Sequence, residues 1–233
     1  MRTRLLATAT SLAAVSLSAL LAAPAAAETS PLCAEFAGTP APEQMCEVHV
    51  SNPQYMLDMV FPVDYPDGTA LSAYLSQTRD GFVNVAEMPG NSNLPYALDV
   101  NTTRYGTGEP TKGTRSLALE VYQNVGGAHP STWYKTFNYD ETTAAPVTFD
   151  TLFAPGTDAL EVIYPIIMRN LAQQLGEPSI APVGDGLDPV HYQNFVITDD
   201  AVIFFFGQGE LLPEAAGALQ SSVPRSAIPP LQL

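Results

Sequence analysis

Met45-Cys46-Glu47-Val48-His49-Val50-Ser51 is followed by Asn52-Pro53 and then by Tyr55-Met56-Leu57-Asp58-Met59-Val60-Phe61-Pro62-Val63. In the first run Cys46, Val48 and Val50 alternate with Glu47 and His49, the period-two signature of a strand with one apolar face. Asn-Pro is a turn signal, so Tyr55–Val63 reads as a second strand. Asp67 then opens a helix in which Leu71, Tyr74, Leu75, Thr78, Phe82 and Val85 fall at helical spacing, and Pro89-Gly90 ends it. Two strands followed by an amphipathic helix set the class, and the rest of the chain extends it.

Downstream, Leu94–Tyr105, Arg115–Val125 and Thr132–Tyr139 alternate as strands, with turns supplied by Gly106–Pro110 and Gly126-Gly127. Val147–Phe153 reads as a short strand. A second helix is expected over Asp158–Leu175, with Asp158 and Glu161 spaced as a capping box and Gly176 at its end. Pro165 conflicts with an unbroken helix, since an interior Pro costs about 3 kcal/mol. The preferred reading is a turn at Asp158–Ile163 and a main helix starting near Pro165. Phe195–Ile197 and Ala201–Phe206 flank Thr198-Asp199-Asp200 as a hairpin, and Val202–Phe206 is apolar throughout, the mark of a buried central strand. A short helix at Pro213–Ala218 and a strand near Val223 close the chain. The expected fold is α+β: a mostly antiparallel, curved sheet with two main helices packed on it.

The 233 residues carry 9 basic and 24 acidic side chains, a net charge of −15. Such a charge opposes nucleic acid and anionic membrane surfaces. A hydrophobic content of 46% exceeds that of a disordered chain, and 21 prolines argue against long unbroken helices. Residues 1–27 read as an export signal: Arg2 and Arg4, an apolar stretch Leu5–Leu21, then Pro24 and Ala25-Ala26-Ala27 as a cleavage site. The alternative is an uncleaved anchor over Leu5–Ala23. Cleavage would leave Glu28 first, no stable membrane anchor, and 7 basic against 24 acidic groups, a charge of −17. Residues 28–233 would then form a single domain, or two packed subdomains of about 28–110 and 111–233.

Cys33 and Cys46 are the only cysteines. In an exported chain an even pair reads as one disulfide, here joining the Pro31–Pro42 tail to the first strand. A two-cysteine metal site would need further ligands, and only His49 lies near. No metal and no cofactor are expected.

Several longer runs carry a family resemblance: Val121-Tyr122-Gln123-Asn124-Val125-Gly126-Gly127-Ala128-His129-Pro130, Gly186-Leu187-Asp188-Pro189-Val190-His191-Tyr192-Gln193-Asn194-Phe195, and Gly209-Glu210-Leu211-Leu212-Pro213-Glu214-Ala215-Ala216-Gly217. With the early cysteine pair, they resemble the RsiV-type family, and within it the secreted immunogenic antigens of mycobacteria of the MPT/MPB type. The resemblance implies an extracytoplasmic α+β domain with a β-grasp-like C-terminal part. It also implies a binding or interaction protein rather than a known catalyst. In RsiV itself the domain senses lysozyme from an anti-sigma factor, a signalling role this chain lacks the cytoplasmic segment to share.

The sequence holds no G-x-S-x-G, H-E-x-x-H, P-loop or G-x-G-x-x-G. The candidate binding loop is Gly126, Gly127, His129 and Pro130, because glycines let backbone approach a partner. The competing reading is a plain hairpin turn. Trp133 and Tyr134, with Phe137 and Tyr139, are a candidate aromatic face. His191 stands near Asp185 and Asp188, without a calcium-loop pattern. Glu210 and Glu214 are a candidate carboxylate pair for glycoside hydrolysis. The expected function is that of a secreted, non-enzymatic, monomeric protein binding a host protein or a cell-envelope glycan. A cell-wall or glycan hydrolase and a structural envelope protein are the alternatives. Charge alone predicts weak, salt-sensitive association with basic lysozyme.

Overall fold

The computed structural model describes residues 30–108 and 112–233. The export segment and its cleavage site lie outside these residues, as do Glu109 and Pro110 of the Gly106–Pro110 turn. The Pro31–Pro42 tail is not plain coil. It holds a short helix, α1 (Pro31–Glu35), started by the Ser30 side chain accepting the Cys33 N–H at 3.1 Å and by Pro31 in the first turn.

Strand β1 (Thr39–Ala41) pairs with β2 (Met45–Ser51), and β2 with β3 (Tyr55–Pro62), both antiparallel. Asp67 caps helix α2 (Gly68–Ala86) by accepting the Ala70 N–H at 3.0 Å. Leu71, Leu75, Phe82 and Ala86 are its buried face. The helix crosses back so that β4 (Tyr96–Gly106) lies parallel to β3, the one parallel pairing in the sheet. β5 (Thr114–Asn124), β6 (Ser131–Asp140) and β7 (Ala145–Pro146) continue antiparallel, giving a seven-stranded sheet in sequence order. Leu57, Met59, Phe61, Leu98, Leu119 and Val121 face α2 with at most 1% exposure. The Cys33–Cys46 disulfide, 5.5 Å between Cα atoms, staples α1 to β2 beside this core. Gly38 is required there, since a Cβ would stand 2.3 Å from Cys46 Sγ.

Val147–Phe153 is not a strand. Thr148 and Thr151 form a reciprocal capping box that turns Phe149–Leu152 into a short helix, α3. Helix α4 (Ala159–Leu175) runs unbroken through Pro165, contrary to the turn-then-helix expectation. Pro165 and Glu161 both lie on the exposed side, so the carbonyl left without a donor faces water. Asp158 stands at the N-cap without a side-chain bond, so the capping box expected there does not form. Gly176, at φ +68°, ends the helix as expected.

Strands β8 (Phe195–Ile197), β9 (Ala201–Phe206) and β10 (Leu219–Pro224) form a second antiparallel sheet with β9 central. α4 lies along β10, where Asn170 and Gln174 donate to the carbonyls of Ser222 and Gln220 and so cover that edge. Phe149, Tyr192, Phe195, Phe204 and Phe206 meet Ile163, Ile167 and Leu171 in the second core. The first core draws on residues up to Tyr139 and the second begins at Val147. Where they join, β8 sits on the face of the large sheet away from α2. Thr136 Oγ1 accepts the Phe195 N–H at 3.0 Å, and Asn138 donates to the Phe195 carbonyl at 2.8 Å.

Candidate functional site

The C-terminal sheet covers only the β4–β6 end of that second face, where Ala118 packs with Val196 and Phe205. Among the described residues nothing covers the remainder of the face, where Glu47, His49, Ser51, Asn101 and Glu120 are exposed. Its geometry begins in the β2–β3 turn. Asn52 Oδ1 accepts the N–H groups of Gln54 and Tyr55 at 2.8 and 2.9 Å, reaching past Pro53. This tight turn fixes Ser51 opposite Met56, His49 opposite Asp58, and Glu47 opposite Val60. The next strands extend the second row as Asp58, Asp99, Tyr122 and Thr132, and the third as Val60, Asn101, Glu120 and Tyr134. Alternation puts all of them on the side opposite the core.

His49 Nδ1 and Asp58 Oδ1 are 2.5 Å apart, with the side chains 70% and 49% exposed. With the proton on Nδ1 donated to the carboxylate, Nε2 is left for solvent. Burial, then the neighbouring Asp58 charge, raises the Asp99 carboxyl above the usual carboxylate range. Glu47, Asp58, Asp99 and Glu120 make this face acidic. At its covered end Tyr134 packs against Phe205 and donates to Glu120 at 3.4 Å. Burial and the Glu120 charge push its hydroxyl up to about 12.

Trp133 and Tyr134 therefore do not share a face. Trp133 is on the α2 side, where its indole N–H donates to the Tyr74 hydroxyl at 3.0 Å. Phe137 and Tyr139 lie with it against the first core. The expected aromatic face is split by strand alternation, and only Tyr134 borders the open surface.

The Gly126–Pro130 loop is the β5–β6 hairpin connection. Gly126, at φ +72°, is demanded by packing: a Cβ would stand 2.7 Å from the Tyr96 ring. Gly127 has open space around it. His129 Nε2 lies 3.3 Å from Glu214 Oε2, both side chains more than half exposed, and Nδ1 lies 3.4 Å from the Pro130 carbonyl. The loop thus touches the C-terminal unit. The Gly207–Glu210 turn completes that junction: Gln208 N–H donates to the Thr132 carbonyl, and Gly207 N–H to Glu210 Oε2 at 2.7 Å. Burial raises the Glu210 carboxyl, against the Gly207 N–H and the nearby His191. Glu210 and Glu214 each have a partner at this junction. Asp185 and Asp188 cap turns by accepting the N–H groups of Leu187 and Val190. Among the described residues no group of three or more His, Cys, Asp or Glu is placed to hold a metal ion.

The His49–Asp58 pairing does not follow from period-two alternation alone. Its signal is in the sequence, because a tight turn at Asn52–Tyr55 dictates which residues of β2 and β3 face each other. Among the described residues no helix is long and apolar enough to cross a membrane. The disulfide is the chemistry of an oxidising, extracytoplasmic compartment.

Fold and disulfide together define an extracytoplasmic α+β protein of two joined sheets. The family described as "Protein of unknown function (DUF3298)" matches residues 150–226. The chain is 55% identical over 208 residues to "Esterase Rv3036c" of Mycobacterium tuberculosis, covering 89% of this chain and 92% of that protein. It is 47% identical over 197 residues to "Immunogenic protein MPB64" of Mycobacterium bovis and to "Immunogenic protein MPT64" of M. tuberculosis, covering 84% of this chain and 86% of each. The chain belongs to the family of these proteins. A solved DUF3298 family protein of Pseudomonas aeruginosa PAO1 shares the fold, with a TM-score of 0.54 at 14% identity over 83% of this chain and 96% of that one.

Proposed function

We propose that the protein is a secreted binding protein whose working surface is the open face of the seven-stranded sheet, and that its partner is basic. The observation carrying this is the set of four acids on two adjacent rows of that face, Asp58 and Asp99 on one and Glu47 and Glu120 on the next. Among the described residues none of the four is paired with Lys or Arg: Asp58 bonds His49, and Glu120 bonds Tyr134. Opposite charge on a partner would relieve their mutual repulsion and steer its approach. The family supports the reading through the immunogenic proteins, whose names carry no reaction. Calorimetric titration with lysozyme, a strongly basic protein, tests it. Weak binding at low salt should fade by about 0.15 M, where the screening length is roughly 8 Å. It should weaken further when Glu47→Gln, Asp99→Asn and Glu120→Gln are combined. An unchanged isotherm in that triple variant would move the partner surface elsewhere.

A second reading is ester hydrolysis. The His49–Asp58 contact favours it, because a carboxylate on Nδ1 is how a catalytic imidazole is oriented. The 55% identical relative is named an esterase.

A further inference from the structure

We propose that Ser51, His49 and Asp58 form a serine-hydrolase triad on the open face, acting on short-chain esters; this rests on the ester-hydrolysis reading above. His49 and Ser51 are two residues apart on β2, so alternation sets both side chains on the same face. Two steps of strand rise separate their Cα atoms by about 6.6 Å. Asp58 stands directly across from His49 and holds Nδ1 at 2.5 Å. Nε2 makes no bond to another described residue. Ser51 is exposed, and its hydroxyl is likewise unbonded. The acid-to-Nδ1 and Nε2-to-serine order is the functional sense of a triad, recognised by geometry and not by position in the chain. In a resting site the last contact is often long and closes when substrate arrives.

The chemistry balances without a cofactor. Ser51 Oγ attacks the ester carbonyl while its proton passes to His49 Nε2. The tetrahedral intermediate collapses, the C–O bond to the alcohol breaks, and His49 returns the proton to the leaving oxygen. Water, deprotonated by His49 in turn, attacks the acyl-Ser51 carbonyl. The acid is released and the serine hydroxyl is restored. Asp58 is the positioning residue, fixing the imidazole tautomer. Met56, directly opposite Ser51 and 43% exposed, offers an apolar contact for the acyl group. The surroundings of Ser51 are sheet surface, so they suit an acetyl or butyryl group rather than a long chain.

The test uses the purified protein with p-nitrophenyl acetate and butyrate, together with a fluorophosphonate probe read by peptide mass spectrometry. The probe is expected on the peptide carrying Ser51, and Ser51→Ala should lose both labelling and turnover. His49→Ala should lower kcat about 10²–10⁴-fold. Asp58→Asn should lower kcat with KM and melting temperature unchanged, and Asp58→Glu should restore part of it. These side chains are exposed, and unchanged melting curves show that the variants fold. Wild-type turnover that survives Ser51→Ala, or a label on another serine, overturns the triad and leaves the hydrolase reading standing. A wild type inert to both esters and unlabelled overturns both.

Discussion

On one face of the seven-stranded sheet, Leu57, Met59, Leu98, Leu119 and Val121 are at most 1% exposed. One residue along on the same strands, Asp58, Asp99, Glu120 and Tyr122 line the other face. The same backbone and the same hydrogen-bond ladder carry both. The covered face binds α2 and specifies the register, since a slip of one residue would exchange every leucine for a carboxylate. Stability thus rests on one face. The other is left free to hold charged groups that a core would exclude. Substitutions across the sheet should show a gradient of cost from the α2 side, through the half-covered joint, to the open rows.

Phe61 is the steepest point of that gradient. It is fully buried, lies opposite Cys46, and meets Phe36 edge to face at 5.2 Å. Phe61→Ala should destabilise the fold by about 3–5 kcal/mol in denaturant unfolding. A loss under about 1 kcal/mol would show that the covered face does not hold the fold. Next comes the staple. Breaking Cys33–Cys46, which spans 13 residues, should cost about 3 kcal/mol in the chain-entropy view. Thiol labelling of unfolded, unreduced protein should find no reactive cysteine, and two reactive thiols would remove the staple from the account.

The covered face was largely legible in the sequence. Cys46 and Val48 in β2, the helical spacing of Leu71, Leu75 and Phe82, and the apolar run Val202–Phe206 all read locally and fold as expected. The failures were of two kinds. Propensity disfavours Pro165 inside a helix, whereas its exposed side of α4 lets water satisfy the freed carbonyl. Thr148 and Thr151 form a capping box with Thr where Glu or Gln is usual, so the sequence of α3 carries the pattern of a strand and not the usual helix-start signature. The open face was legible only in part. That Glu47 and His49 point outward follows from alternation. That His49 meets Asp58 requires the register, and that Asp58 meets Asp99 requires the parallel return through α2. Which part of the face β8 would cover depends on contacts 57 to 81 residues apart in sequence. No local pattern encodes those.

The joint lies between the two extremes. Asn138 is buried, and its amide N–H is one of the direct ties from the large sheet to β8, beside the Thr136 and Ser116 hydroxyls. Asn138→Ala leaves the Phe195 carbonyl buried without that donor, a loss of about 1–3 kcal/mol. Amide exchange should rise first in β8 and β9, with β2 and β3 protected as before. Uniform loss of protection across both sheets would mean that the two cores open as one unit.

The open rows should show the smallest effect. Glu47→Gln, Asp99→Asn and Glu120→Gln should each change stability by no more than about 0.5 kcal/mol, as surface substitutions do. Asp99→Asn also has a direction. Its folded carboxyl titrates higher than in the unfolded chain, because burial and Asp58 disfavour the charge. The charged form therefore costs stability above the raised folded value, and that cost disappears as pH falls below the unfolded value. The variant should accordingly be at least as stable as the parent at pH 7, with the difference closing in acid. Thermal unfolding of both proteins between pH 7 and pH 3 measures it. A variant less stable at pH 7 would mean that Asp99 holds the fold together after all, and the two faces would then differ less than their burial suggests.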